Sequence, residues 1–151
     1  MVVKIIEVLI LDDDADWRDA LGKIVSNKGY APTECKYVND AIELLTGRKN
    51  EGKNLPLGYL VDTGITEKEI PLFNKNSVQS NYCKRFDEYL MDISKEKPRN
   101  FALTSLYCSD EDDVDVKLAR NLQVPILDKG NYRGLIEFLD GMKTIQGSAI
   151  E

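Results

Sequence analysis

The sequence predicts one α/β domain, a three-layer α/β/α sandwich in which helices cover both faces of a five-stranded parallel sheet. Two observations support this class. Short apolar runs alternate with segments of helical period, which gives five strand–helix units within 151 residues. Four of the runs also end on an acidic, hydroxyl or lysine side chain. Buried parallel strands read as apolar runs, and their carboxyl ends form the edge at which open α/β sheets bind ligands.

The strands are predicted from the apolar runs and from one stretch of alternating residues. In order they are expected at Glu7–Leu11, Ala31–Tyr37, Leu57–Val61, Asn100–Thr104 and Val124–Leu127. Right-handed crossovers between parallel strands would then place the intervening helices on both faces of the sheet. This arrangement predicts the three layers.

The helices are predicted from apolar residues that recur three or four positions apart. They are expected at Asp14 or Asp16 to Gly29, Asn39 or Asp40 to Gly47, Asn81–Lys95, Asp110–Leu122 and Tyr132–Lys143. Aspartate and asparagine cap helix starts, and glycine commonly follows a helix end. Arg48–Asn54 is polar and is expected to form a loop. The domain is expected to span residues 1–145, with 146–151 as a polar tail.

Composition excludes several classes of function. The net charge is −6, which disfavours direct binding to nucleic acid, and no apolar stretch is long enough to span a membrane. The chain contains no histidine, so histidine base catalysis and histidine metal ligation are excluded. Three widely spaced cysteines favour reduced thiols over a disulfide framework. The start of the chain lacks the long apolar segment of a signal peptide, so we expect a cytoplasmic protein.

An acidic cluster is predicted where two strands end. Asp12 and Asp13 follow the first strand, and Asp62 is the sole charge after the third. Like charges held together raise one another's pKa unless a cation joins them. Because the available ligands are oxygens, the expected cation is Mg²⁺. A solvated turn is the alternative for an isolated run of aspartates, and we expect Asp14 and Asp16 to act only in that way.

Three further side chains are candidates for phosphate chemistry at the same edge. Asp62 can attack phosphorus as a carboxylate nucleophile. Lys129, after the fifth strand, can reach an aspartate or a phosphoryl oxygen. Thr104, at the end of the fourth strand, offers a hydroxyl as a hydrogen-bond donor, with Ser105 beside it. Trp17, in the first helix, should lie close enough to this site to report on its occupancy.

Taken in chain order, the acid pair, acid, hydroxyl and lysine resemble the receiver domain of two-component response regulators, from about Glu7 to Lys143. The resemblance implies a flavodoxin-like strand order of 2-1-3-4-5. It also implies that Asp12, Asp13, Asp62 and the carbonyl of Gly64 hold Mg²⁺. In the same resemblance Asp62 is the phosphoacceptor, while Thr104 and Lys129 bind the phosphoryl oxygens. The segment LILDDDADWRDAL, which includes Arg18, is especially similar to the family's opening pattern.

The sequence departs from the family pattern at four places. Gly130 stands where a proline usually follows the lysine, and Ile126 replaces the usual switch aromatic. The usual Met-Pro turn is missing after Asp62, and Thr66–Gln79 looks like an insertion beside the site. Tyr107 and Cys108 could take part in switching, although packing is the simpler role for them.

Three hypotheses of function follow. The first is a stand-alone receiver that is phosphorylated by a histidine kinase or phosphotransfer protein and signals to a protein effector by contact. Such a chain would be a phosphoacceptor with self-catalysed phosphotransfer, not an enzyme that turns over a substrate. The second is a pseudo-receiver that binds partners without phosphorylation. The third is a haloacid-dehalogenase-like phosphatase, because Asp12-x-Asp14 after a strand resembles its nucleophile motif, and Thr104 or Ser105 and Lys129 could match its later motifs.

Overall fold

The chain forms alternating strands and helices in the order that the sequence predicts. The computed structural model describes residues 5–63, 85–93, 100–106 and 114–150. The strands are β1 (Glu7–Leu11), β2 (Ala31–Cys35), β3 (Gly58–Asp62), β4 (Asn100–Ser105) and β5 (Ile126–Asp128). The helices are α1 (Ala15–Asn27), α2 (Val38–Asn50), α3 (residues 85–93), α4 (Val114–Leu122) and α5 (Tyr132–Ile150).

All five strands are parallel and lie in the order β2-β1-β3-β4-β5, so the predicted topology is confirmed. In the register of the central pair, Asp62 of β3 lies opposite Thr104 of β4. On the outer side of β4, Ser105 lies opposite Asp128 of β5. The carboxyl ends of these three strands therefore stop at nearly the same level.

The sheet separates two apolar cores, because successive side chains of a strand point to opposite faces. Leu9 and Leu11 of β1 belong to the core that also contains side chains of α2, α3 and α4. Val8 and Ile10 belong to the other core, which contains side chains of α1 and α5. These four side chains are fully buried. The predicted three-layer sandwich is therefore confirmed.

The start of α1 fixes the backbone beside the predicted acidic site. Asp14 is the N-cap, and its Oδ1 accepts hydrogen bonds from the amides of Asp16 and Trp17 at 2.9 and 3.1 Å. Gly29, just beyond the helix, has a φ of +83°, a left-handed conformation that favours glycine. Both predicted boundaries of α1 are confirmed.

Two helices extend beyond their predicted bounds. Helix α2 begins at Val38, with Tyr37 as an N-cap that makes no side-chain cap bond, and it continues to Asn50. The prediction that Asn39 or Asp40 opens this helix is wrong. The predicted loop Arg48–Asn54 is wrong for its first three residues, which belong to α2, and is confirmed for residues 51–54. Helix α5 continues past Lys143 to Ile150, because that polar stretch contains no proline to stop a helix.

Several predictions lie outside the described residues. They concern Gly64, the Thr66–Gln79 insertion, Tyr107, Cys108 and the acidic start of the Asp110–Leu122 helix. Within the described ranges, no helix combines the length and the apolar character needed to cross a membrane.

Candidate functional site

Four of the predicted site residues share one face of the sheet. Asp12, Asp62 and Thr104 continue the alternation of Ile10, Leu60 and Ala102, which pack in the core beneath α1 and α5. Lys129 continues the alternation of Leu127, which packs against the same core. The strand-end rule therefore brings these four side chains to one crevice.

Asp12 is fixed from several directions and is fully buried. Its amide donates to the carbonyl oxygen of Cys35 at 3.1 Å, and its Oδ1 accepts from the amide of Asp14 at 2.9 Å. The Nη1 of Arg18 donates to the Asp12 carbonyl oxygen at 2.8 Å. These contacts leave Oδ2 of Asp12 directed at the crevice.

Lys129 joins the two buried carboxylates. Its Nζ lies 2.8 Å from Oδ2 of Asp12 and 2.9 Å from Oδ1 of Asp62, and only 4% of the residue is exposed. Its amide donates to the carbonyl oxygen of Ser105 at 3.0 Å. The loop after Lys129 contains Gly130 instead of proline, and the Gly130 amide donates to Oδ1 of Asp128 at 2.8 Å. Lys129 therefore lies at the acidic site even though Gly130 replaces the proline of the family pattern.

The ammonium group of Lys129 is held in its charged form. Burial alone lowers the pKa of a lysine, but the neighbouring charges of Asp62 and Asp12 and their hydrogen bonds outweigh burial, so the pKa of Lys129 is raised. Lys129 is therefore a cation at neutral pH, and it lies between the carboxylates of Asp12 and Asp62.

Asp12, Asp13 and Asp62 fit a divalent cation. Each offers one carboxylate oxygen, and the three oxygens lie within 4.8 Å of one another. Asp12 and Asp62 are buried and Asp13 is half-buried. Three carboxylates that converge in this way repel one another, and that repulsion favours a bound cation. A hard cation with oxygen ligands, such as Mg²⁺, suits that donor set. Gly64, the predicted backbone ligand, lies outside the described residues.

Thr104 presents a buried hydroxyl group at the end of β4. The residue is 1% exposed, and its Oγ1 has no hydrogen-bond partner among the described residues. A buried polar group without a partner costs free energy, so such an atom calls for an explanation. Its position opposite Asp62 makes it available to an oxygen of a group bound at Asp62.

Trp17 lies against the lysine, as predicted from its place in the first turn of α1. Lys129 Nζ is 5.8 Å from the centroid of the Trp17 ring, within the range of a cation–π contact. The indole therefore borders the crevice and can report on changes in it.

A second polar cluster lies on the opposite face of the same strand ends. Thr63 and Ser105 are buried, and both donate their hydroxyl hydrogens to Oδ2 of Asp115 in the first turn of α4, Thr63 at 2.7 Å. The sequence analysis did not single out Asp115. Its position in the first turn of a helix indicates only a favourable dipole interaction, and its role as an acceptor depends on how α4 crosses the sheet.

The aromatic switch of the family pattern is absent from β5. Ile126, which stands in its place, packs against the core beneath α2, α3 and α4. Asp14, the second aspartate of the motif behind the phosphatase hypothesis, is exposed and caps α1. Its observed role in the fold is therefore helix capping.

Solved structures of receiver domains share this fold. A response regulator receiver domain (CheY-like) from Methanospirillum hungatei is 18% identical, with a TM-score of 0.62 over 97% of this chain and 99% of that one. The signal receiver domain of an HD domain-containing protein from Pseudomonas fluorescens is 14% identical, with a TM-score of 0.65 over 96% and 99%. The N-terminal domain of an uncharacterized protein from Wolinella succinogenes is 18% identical, with a TM-score of 0.63 over 97% and 99%.

At the level of sequence alone, neither a protein-family model nor a curated protein matches the chain. The structural similarity nevertheless covers almost the whole chain. The protein therefore has the flavodoxin-like fold of CheY-like receiver domains, although its sequence is only 18% and 14% identical to the two receiver domains named above.

Proposed function

We propose that this chain is a divergent response-regulator receiver that accepts a phosphoryl group on Asp62 in a two-component phosphorelay. The observation that carries the proposal is Lys129, whose ammonium lies between Asp12 and Asp62 within a receiver fold. A buried lysine between two acids at the carboxyl edge of a parallel sheet is costly for stability alone. The free-energy cost of burying Lys129 is explained if its ammonium group also binds a phosphoryl oxygen.

The proposed donor is the phosphohistidine of a partner histidine kinase or phosphotransfer protein. A carboxylate oxygen of Asp62 forms a bond to phosphorus while the donor's phosphorus–nitrogen bond breaks. The electron pair stays on the imidazole nitrogen, which takes a proton from solvent. The absence of histidine from this chain fits such a division of roles, because the donor histidine belongs to the partner.

Asp12, Asp13 and Asp62 would hold Mg²⁺, with the carbonyl of Gly64 as a further ligand. When bound, the cation neutralises charge on the transferring phosphoryl group. Lys129 would shift from bridging the two acids to binding a phosphoryl oxygen. Thr104, whose hydroxyl has no partner among the described residues, would donate its hydroxyl hydrogen to another phosphoryl oxygen. Both side chains are already held at the site before any ligand arrives, which lowers the cost of reorganisation.

The output is proposed to be contact with a downstream effector protein in the cytoplasm. The chain would serve as a phosphoacceptor and not as an enzyme with a separate substrate. Direct contact with nucleic acid is not part of the proposal, since the net charge of −6 opposes it.

Intact-mass spectrometry after incubation with acetyl phosphate and Mg²⁺ tests the proposal. The wild type should gain the mass of one phosphoryl group, and Asp62→Asn should gain none. Asp14→Asn is the matched control, because asparagine also caps helices and Asp14 is exposed. This control should be labelled like the wild type.

Three results would contradict phosphate acceptance at Asp62. Label that persists in Asp62→Asn would place the acceptor elsewhere, and label lost in Asp14→Asn would favour the phosphatase hypothesis. A folded wild type that takes no label would favour the pseudo-receiver, for which the replacement of the switch aromatic by Ile126 is the structural argument.

A further inference from the structure

The contact between α4 and the sheet has a feature that apolar packing does not explain. One oxygen of Asp115, Oδ2, accepts hydrogen bonds from two hydroxyl groups on neighbouring strands. Thr63 immediately follows Asp62, and Ser105 immediately follows Thr104. Because side chains alternate along a strand, these hydroxyls face α4 while Asp62 and Thr104 face the crevice.

The backbone of Ser105 is also hydrogen-bonded to Lys129, a further residue of the crevice. The carbonyl oxygen of Ser105 accepts the amide hydrogen of Lys129 at 3.0 Å, and the carbonyl oxygen of Thr104 accepts that of Thr63 at the same distance. Any shift of these strand ends that accompanies binding at Asp62 would therefore displace the two hydroxyls bound to Asp115.

The apolar contacts of α4 would not transmit such a shift with the same precision. Leu118, Ala119 and Leu122 pack in the apolar core, and apolar contacts are non-directional. Two hydrogen bonds to one carboxylate oxygen fix a position and a direction. Their donors are buried, so loss of these bonds would leave hydroxyl groups without water to replace them.

We propose that Asp115 is a positioning residue that couples occupancy of the Asp62 site to the position of α4, through the hydroxyls of Thr63 and Ser105. This inference rests on the proposed function, since it requires an occupied state of that site. In the family pattern an aromatic residue of β5 acts as the switch, and Ile126 stands in its place here. In this chain the hydrogen bonds at the ends of β3 and β4 would provide the coupling instead.

Amide hydrogen exchange of α4, with and without beryllofluoride and Mg²⁺, tests the coupling. Beryllofluoride mimics a bound phosphoryl group, and its binding is followed separately by ¹⁹F NMR. In the wild type we expect the exchange of α4 amides to change by at least about fivefold on binding, the low end of typical coupling between sites.

Asp115→Ala should still bind beryllofluoride, but the ligand should no longer change α4 exchange. A merely structural role would alter α4 exchange equally with and without ligand and would keep the difference between the two states. Asp115→Asn retains an acceptor oxygen and should recover part of the response. Glu43→Ala is the control, because Glu43 is an exposed helical acid on α2 and should behave like the wild type.

The outcomes separate the two proposals. If the wild type shows no bound ¹⁹F signal, the proposed function fails and the coupling falls with it. If the wild type binds and Asp115→Ala keeps the ligand-dependent difference, or the wild type has no such difference, only the coupling is overturned. Should Asp115→Ala fail to fold, Ser105→Ala removes one of the two donors and must reduce the response.

Discussion

Lys129 contributes to the stability of the fold and, in the proposed function, to the binding of a ligand in the crevice. Its ammonium satisfies Asp12 and Asp62, so that neither buried acid is left with an isolated charge. Removing one member of such a group is strongly destabilising, although the group as a whole adds little stability over apolar packing. Asp13 adds a third carboxylate oxygen to those of Asp12 and Asp62, and a divalent cation would bind all three.

Thr104 offers a sharp test at the residue scale, because its hydroxyl has no partner among the described residues. Thr104→Val replaces that hydroxyl with a methyl group of similar size. We expect the free energy of unfolding to rise by about 1 kcal/mol, since a buried group without a partner is removed. Binding of beryllofluoride should weaken at least about tenfold, since a hydrogen bond to a charged ligand is lost. Urea unfolding and ¹⁹F NMR titration measure the two effects.

Thr33→Val is the matched control for this substitution. The Thr33 hydroxyl donates to Oε2 of Glu7, so this variant should lose stability while binding beryllofluoride normally. A loss of stability in Thr104→Val would mean that its hydroxyl has a partner in the folded protein. Unchanged binding in that variant would remove Thr104 from the proposed site.

At the scale of elements, the strand ends were the most predictable part of the molecule. The rule that buried parallel strands deliver functional groups to one edge predicts that Asp12, Asp62, Thr104 and Lys129 share one crevice. Asp115 could not be found in this way. Its partners lie ten and 52 residues away, and its role depends on how α4 packs across β3 and β4.

The end of α2 was predicted incorrectly for a related reason. Polarity suggested a loop from Arg48, but tertiary contacts hold the last turn. Arg48 makes a bidentate ion pair with Glu7 of β1, and Lys49 Nζ donates to the carbonyl oxygen of Ile93 at 2.8 Å. Polar side chains that find partners across the fold can extend a helix beyond its apolar pattern.

The ion pair predicts a pH-dependent contribution of α2 to stability. Burial raises the pKa of Glu7, but the hydrogen bonds and charge of Arg48, together with Thr33, lower it below 4.5 overall. A carboxylate with a lowered folded-state pKa stabilises the protein above its unfolded pKa, and this stabilisation is lost as the pH falls through the folded value. Arg48→Met should therefore lower the free energy of unfolding by about 1.5 kcal/mol at neutral pH.

That difference between Arg48→Met and the wild type should shrink when the pH is lowered from neutral to well below 4.5, because Glu7 then becomes protonated. Urea unfolding at both pH values measures it. Arg133→Met is the control, because the Arg133–Glu137 pair on α5 is exposed and should have little effect at either pH. A difference that stays constant with pH would mean that Arg48 acts through packing and not through the charge of Glu7.

At the scale of the whole molecule, one sheet supports two separate cores. Leu45 of α2 is fully buried on one face, and Leu139 of α5 is fully buried on the other. The helical period of the sequence predicted the helix layers on both faces of the sheet. The further prediction, that residues 1–145 form one domain, implies that both cores unfold in one cooperative transition. Shared strands should make the two cores unfold together, because each strand contributes alternate side chains to both.

Leu45→Ala and Leu139→Ala test that cooperativity. Each should lower the free energy of unfolding by about 2 to 5 kcal/mol, and the double variant should lose about the sum, because the two sites share no partner. Trp17, the single tryptophan, belongs to the α1 side of the sheet, whereas far-UV circular dichroism follows all helices. If the domain is one cooperative unit, Leu45→Ala should lower the unfolding midpoint measured by Trp17 fluorescence as much as the midpoint measured by circular dichroism. If Leu45→Ala lowers only the circular dichroism midpoint, the α2 face unfolds on its own and the two cores are separate cooperative units.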